Sequence, residues 1–295
     1  MNKFSPVTLP GAEKPTLLVI LAHPDDETFG TGGTIAMYAR RGVDVHLICA
    51  TRGEAGEVDE KYLEGYHSIA ECRMAELRCA AGKLGLISVI FLDYRDSGMS
   101  GSPDNHHENA LAAAEVDEVA EKIVEQIHRL QPQVIITFDP SGGYRHPDHI
   151  AIHQATVRAF EMAGDHETMT LPQLSFTPPQ KLYFHTMPKG WLRFMVWFSQ
   201  LVGRDPRKAG RNGDIDLVSI SETRYPTHAR INYHPVVKIR DEASACHASQ
   251  GGGRFRSGIF APLQRLIASH DNYMRAFPPL QPDERLEHDL FENVR

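Results

Sequence analysis

The stretch LLVILAHPDDETFGTGGT (residues 17–34) decides how the whole chain is read. Its first six residues are apolar without alternation, the pattern of a strand buried on both faces in a helix-covered parallel sheet. His23, Pro24, Asp25, Asp26 and Glu27 follow at once, then a glycine run and a helical pattern over 33–41 that Gly42 stops in the C′ position. A core strand has no packing use for a histidine and three consecutive carboxylates at its end. In an open parallel sheet, ligands bind in the crevice beyond the carboxyl ends of the strands, so this cluster lies in that crevice by position alone.

Working outward, strand-like runs alternate with helical patterns. Strands are predicted over 17–22, 43–51, 88–94, 134–138 and 181–185, with helices over 69–84, 110–130 and from Pro147 to about Met162. In the long helix Val116, Val119, Ile123, Ile127 and Leu130 share a face, and Glu118 and Lys122 form an i,i+4 pair. The β-α-β-α order predicts an α/β fold, a Rossmann-like three-layer sandwich with a mainly parallel sheet. Beyond residue 186 the pattern weakens: a basic, proline-bearing stretch over 188–212, a strand-like 227–232, a helix candidate over 239–247 and a loop at Gly251–Gly253. The chain is read as one domain, 1–295, with a core of about 15–186 and a C-terminal elaboration over 187–295.

Composition narrows the partners. The 295 residues carry 31 Lys+Arg against 38 Asp+Glu, a net charge of −7, and the basic residues are scattered. That excludes nucleic acid or an anionic membrane as the main partner. The apolar run over 191–202 contains Arg193 and Gln200 and is too short to span a bilayer. Residues 1–16 hold three prolines and no apolar h-region, so no signal peptide is predicted. Cys49, Cys72, Cys79 and Cys246 form no C-x-x-C pair; buried free thiols are expected, which suits a reducing cytoplasm.

A second polar cluster, FDPSGGYRHPDHI (138–150), follows the fourth strand and brings Asp139, Tyr144, His146, Asp148 and His149 to the same sheet edge. Pro147 suits the first helical position, so His146 flanks a helix start and His149 lies in its first turn. A divalent metal with one open position takes three N/O ligands plus water. His23, His149 and one of the two aspartates meet that need. The other aspartate is left to take a proton from the water, and His146 to stabilise an oxyanion or protonate a leaving amine. One H-P-D is often only a turn; two, each after a strand, make that account insufficient.

The chain resembles the LmbE-like/PIG-L family of zinc-dependent N-acetylglucosaminyl deacetylases, and its glucosamine-thiol, mycothiol-type branch in particular. The resemblance rests on AHPDDE (22–27), GGYRHPDH (142–149), YRDSGM (94–99), TRGEAGE (51–57) and ACHASQ (245–250). It implies one Zn²⁺ per chain, with Fe²⁺ as the other candidate, held by His23, Asp26 and His149. It further implies Asp25 as general base, His146 as charged or acid partner, Tyr144 polarising the amide carbonyl, and Arg73 and Asp96 contacting the sugar. The substrate implied is a small amino-sugar conjugate; the oligomeric state, including a homo-oligomer, stays open.

Other residues invite readings that carry less. His153 is expected to pack in the core, His106 and His107 to be solvated, and Glu27 to support the site or the helix N-terminus. His247 has three open readings: lining the site, reaching a neighbouring subunit, or packing between helices. The glycines of GTGGT (30–34) follow a strand as a dinucleotide fingerprint does, but HPDDE fills the turn and would repel a pyrophosphate. Two histidines and a carboxylate also make the facial triad of a non-haem Fe(II) oxygenase; the surplus Asp25 and His146 favour hydrolysis. An amidase on a glucosaminyl thiol conjugate and a non-catalytic sugar-binding protein complete the alternatives.

Overall fold

The computed structural model describes residues 4–9, 14–165, 176–187, 189–209, 216–253, 269–281 and 283–295. Pro10, Pro188 and residues 210–212, which entered the readings above, lie outside them.

The amino-terminal part alternates as expected: β1 (Thr16–Leu21), the one-turn α1 (Asp26–Phe29), α2 (Gly32–Arg40), β2 (Asp44–Thr51), α3 (Ile69–Leu84), β3 (Ser88–Tyr94), α4 (Val116–Leu130) and β4 (Val134–Phe138). A single turn α5 (Gly142–Arg145), the long α6 (Pro147–Gly164) and β5 (Lys181–Thr186) follow. Then come α7 (Lys189–Leu201), α8 (Leu217–Glu222), β6 (Ala229–Asn232), α9 (Val237–Cys246) and β7 (His270–Phe277).

The sheet has the order β3-β2-β1-β4-β5-β7-β6. The first five strands are parallel; β7 runs antiparallel to both β5 and β6. Every residue of β1 and β4 is buried, which is why both read as unbroken apolar runs. Helices α2, α3 and α9 pack together, and α4 packs on α6. Because β1 lies between β2 and β4, the connections leaving β1 and β4 diverge. The switch point of the sheet therefore opens between the two polar loops.

Local chemistry sets the helix ends. Ser68 caps α3 by accepting the Glu71 amide, and Gly85 ends it in a left-handed conformation. Gly33 has a different use: a Cβ there would run into the ring of Tyr233, so the residue lets α2 approach the segment leading into α9.

Three expectations need correction. The fourth helix begins at Val116, not Ala110: Arg95 pairs its backbone with Asn109 and Leu111, which commits 109–111 to a loop contact. Within the basic stretch 188–212, residues 189–201 form helix α7. The cysteines are not all free thiols: Cys79 on α3 is bonded to Cys246 on α9, while Cys49 and Cys72 are free and buried. With a disulfide present, cysteine usage no longer argues for a reducing compartment.

Strand β7 was not foreseen. Its inward positions are Asp271, Tyr273 and Arg275, so the alternation exists but two of three buried residues are charged. Each has a partner: Thr34 donates its amide and hydroxyl to Asp271, and Arg275 donates to Glu287. No helix among the described residues is long and apolar enough to cross a membrane.

Candidate metal centre and active site

The loops after β1 and β4 meet. His23 leaves β1, and its Nδ1 lies 3.2 Å from Nε2 of His149, in the first turn of α6. Asp26 reaches both rings, 3.5 Å from His23 Nδ1 and 3.3 Å from His149 Nε2, and also accepts the His23 amide at 2.8 Å. The two ring nitrogens are thus 3.2 Å apart, each with a different oxygen of Asp26 beside it, Oδ2 for His23 and Oδ1 for His149, and His146 joins the two rings in a group that could hold a metal ion. The edge of a tetrahedron with bonds of about 2.0–2.1 Å is roughly 3.3–3.4 Å, so the spacing fits a zinc-sized cation.

The outer nitrogen of each ring fixes what the inner one offers. His149 Nδ1 donates to the Gly142 carbonyl at 3.1 Å, which leaves Nε2 as a lone pair in the neutral ring. His23 Nε2 faces Asp148 at 3.0 Å and Asp96 at 3.4 Å, so in the neutral ring the proton belongs there and Nδ1 is a second lone pair. Two lone pairs and a carboxylate converge, and only a positive charge between them satisfies all three. The titration directions agree. Burial opposes charge on His23, yet Asp96, Asp148 and Asp26 hold it well above its ordinary value, so without an ion a proton on Nδ1 supplies that positive charge and a cation would displace it. Burial likewise opposes charge on Asp26, but His149 and His23 hold its carboxyl well below the usual range.

Gly142 makes the second loop work. Its φ of +63° suits glycine, and a Cβ would meet the Cβ of His149 at 2.8 Å. The His149 ring then stacks on Phe138, the last residue of β4, with centroids 3.9 Å apart. His146 accepts the Asp148 amide on Nδ1 and caps α6, so its neutral ring carries the proton on Nε2. Burial, then His23 and His149, push its pKa down to about 2. Tyr144 lies edge-on to His149 and His146, and burial and Asp26 hold its phenol protonated.

Asp25 adopts φ 113°, outside the usual range for an L residue. Burial raises its pKa to about 6 against the pull of Arg73, with Asp26 adding to the rise. Arg73 is 4% exposed and donates to the Pro24 carbonyl, the Gly53 carbonyl and Asp25 at 2.5, 3.1 and 3.2 Å. Asp96 is also buried, and accepts the Gly98 amide. Neither of these two expected sugar contacts faces open solvent.

His23, Asp25, Asp26, His146 and His149 therefore come together as the motifs suggested, with Arg73, Asp96 and Tyr144 around them. His153 donates to the Phe138 carbonyl and packs on Phe184, a core role, while His106 and His107 are exposed. Sequence reasoning placed Asp148 at this sheet edge but gave it no role; its carboxylate faces His23 Nε2 and accepts the Ser97 amide at 2.9 Å. A signal was present: HPDD and HPDH place an aspartate at the same distance after each histidine. His247 lies inside this chain's own core, donating to Glu27 at 2.6 Å. The whole ACHASQ segment is tied down: Cys246 to Cys79, Ser249 to Glu76 and Gln250 to the Glu57 carbonyl.

Comparison with known proteins matches this arrangement. Residues 18–160 match the family described as PIG-L, GlcNAc-PI de-N-acetylase. The chain is 33% identical to 1D-myo-inositol 2-acetamido-2-deoxy-alpha-D-glucopyranoside deacetylase 2 of Catenulispora acidiphila, covering 94% of each chain. It is 43% identical to the corresponding deacetylase of Thermobifida fusca over 191 residues, 61% of this chain and 65% of that one. Among solved structures, the N,N'-diacetylchitobiose deacetylase of Pyrococcus horikoshii shares the fold at 20% identity, with a TM-score of 0.58 over 93% of this chain and 89% of that one. So does GalB, the 4-carboxy-2-hydroxymuconate hydratase of Pseudomonas putida, at 19% identity and a TM-score of 0.58 over 92% of this chain and 100% of that one. A fold shared by deacetylase and hydratase leaves the chemistry to the site. With its two H-P-D loops closed around one cation-seeking cluster and a relative alike along nearly its whole length, this chain belongs to the PIG-L family.

Proposed function

We propose that the chain is a metal-dependent hydrolase that removes the acetyl group from a small N-acetylglucosamine conjugate. The observation that carries this reading is the pair of inward lone pairs on His23 and His149 beside Asp26, with the carboxylate of Asp25 to spare. His23, Asp26 and His149 would hold the cation, read as one Zn²⁺ per chain, with Fe²⁺ as the other occupant compatible with N/O donors. Such an ion supplies Lewis acidity toward the amide carbonyl and lowers the pKa of water to about 7.

The remaining steps fall to side chains. Asp25, ionised above about pH 6, accepts a proton from the attacking water and returns it to the departing amine, leaving acetate. Arg73 holds that carboxylate from behind. Of the two roles open to His146, its depressed pKa favours the neutral one: Nε2–H donates to the developing oxyanion. Tyr144 is kept protonated and serves as a donor to the same carbonyl. The burial of Arg73 and Asp96 shifts our assignment for them from sugar contact to support of Asp25 and His23.

The relatives' names point to 1D-myo-inositol 2-acetamido-2-deoxy-alpha-D-glucopyranoside as the first substrate to try, and a cytoplasmic location is part of this proposal. The test is mass-spectrometric detection of acetyl loss from that glycoside and a panel of N-acetylglucosamine conjugates, with metal content measured on the same sample. Stoichiometric acetate release supports the reading. Tight binding without release would favour a sugar-binding protein, and cleavage only of thiol-conjugate amides would favour the amidase.

A further inference from the structure

Asp25 occupies φ 113°, ψ −30°, a backbone state that costs free energy and persists only where its surroundings over-determine it. The determining contact is visible. The Asp25 amide donates to Oε2 of Glu27 at 2.9 Å, and Oε1 of the same carboxylate accepts from Nε2 of His247 at 2.6 Å. Both side chains are fully buried and lie 220 residues apart in sequence. His247 directly follows α9, and the residue before it, Cys246, is bonded to Cys79 on α3. Helix α3 also carries Arg73, which grips Asp25 and the Pro24 carbonyl from the other side. Asp25 is thus clamped by groups mounted on two helices, and those helices are joined covalently. The bridge is reachable, since Cys79 is exposed and Cys246 half-buried, whereas the free thiols are buried.

We infer that Glu27 and His247 are positioning residues for Asp25, and that Cys79–Cys246 is a redox latch that holds them, so that reducing it slows turnover without emptying the metal site. This rests on the reading of Asp25 as the base. In the reduction, a dithiol attacks one bridge sulfur, the S–S bond breaks and the mixed disulfide resolves. Two protein thiols form, and the reductant leaves as its own disulfide, having given up two electrons. The carboxyl end of α9 then keeps only its noncovalent ties to α3, among them Ser249 to Glu76. Contact between His247 and Glu27 loosens, and with it the aim of the Asp25 carboxylate. His23, Asp26 and His149 have other anchors, the Ala22–Thr51 backbone pairing and the Gly142 carbonyl among them, so the cation stays.

The test uses the metal-loaded full chain, oxidised and then treated with dithiothreitol. Thiol titration should show two newly reactive cysteines. With it, kcat should fall about tenfold, the scale on which small misplacements of a reacting group act, while KM and metal content hold. Amide exchange over residues 22–30 should accelerate, and reoxidation should reverse all of this. Cys79→Ser should show the low kcat with no reductant present and no response to one. His247→Ala should lose on the order of a hundredfold in kcat, with partial recovery in His247→Gln, whose amide can still donate to Glu27. Confirmed reduction with kcat and exchange both unchanged overturns the inference, as does a His247→Ala enzyme equal to the parent. If His247→Ala does not fold, Cys79→Ser decides. If the oxidised parent releases no acetate from any conjugate, the deacetylase reading fails by itself. Exchange over 22–30 then still tests the latch: acceleration on reduction supports it and constancy overturns it.

Discussion

The two ends of the chain serve one site by different means. In the amino-terminal parallel region, each reactive group arrives on a short turn directly after a strand: His23 and Asp25 after β1, Asp96 after β3, His146 and His149 after β4. Their convergence follows from strand order alone. Among the described residues of the carboxyl-terminal region, no member of this cluster follows a strand. That region acts through α9, whose last turn buries His247 against Glu27 and bonds Cys246 to α3. Topology thus sets which groups meet, and in our proposal long-range closure sets how Asp25, the proposed base, is aimed.

The largest effect should come from the strand-end side. Asp25→Asn should lower kcat by about 10²–10⁴-fold, the usual share of a general base, with metal content and KM retained. Near-parental turnover in that variant would remove Asp25 from the chemistry. On the closure side, Cys79→Ser opens a cross-link spanning 167 residues and should cost about 2–4 kcal/mol in urea unfolding. An unchanged midpoint would mean the two helices need no covalent tie. Next in size, Gly142→Ala crowds His149 and should weaken metal binding about 10–100-fold in competition with a chelator. Unaltered affinity would show that the loop after β4 yields, and that the strand-end side is less rigid than its geometry implies.

The smallest effect tests where the two sides meet, at Arg73. Asp25 must be ionised to act, so rate should fall as pH drops through its pKa of about 6, or lower once a dication stands beside it. Burial raises that value and the guanidinium of Arg73 opposes the rise. Removing the cation in Arg73→Met therefore makes ionisation harder, and the acid limb of kcat should move to higher pH. A limb that stays in place would detach Arg73 from the base.

This contrast also explains what could be read before the structure. Strands β3 and β4 and helix α3 were legible to the residue, because apolar runs and a Gly85 stop are local signals. The meeting of His23 with His149 was legible because two H-P-D turns repeat a pattern. The β7 strand was hidden because Asp271 and Arg275 face inward, where alternation leads one to expect apolar residues. The Cys79–Cys246 bond was hidden because pairing across 167 residues leaves no trace in spacing. The hydrogen bonds of Arg73 were hidden for a related reason: a sequence shows that a cation is near, not which way its donors are already spent.

The parallel order has one more consequence. The segments after β2 and β3, residues 52–68 and 95–115, leave the same sheet edge as the metal loops but supply none of the three expected ligands. Gly53, Asp96 and Ser97 within them touch Arg73, His23 and Asp148, so these three positions are bound to the site. A lineage could therefore exchange one sugar's attachment for another by rewriting the rest of the two inserts.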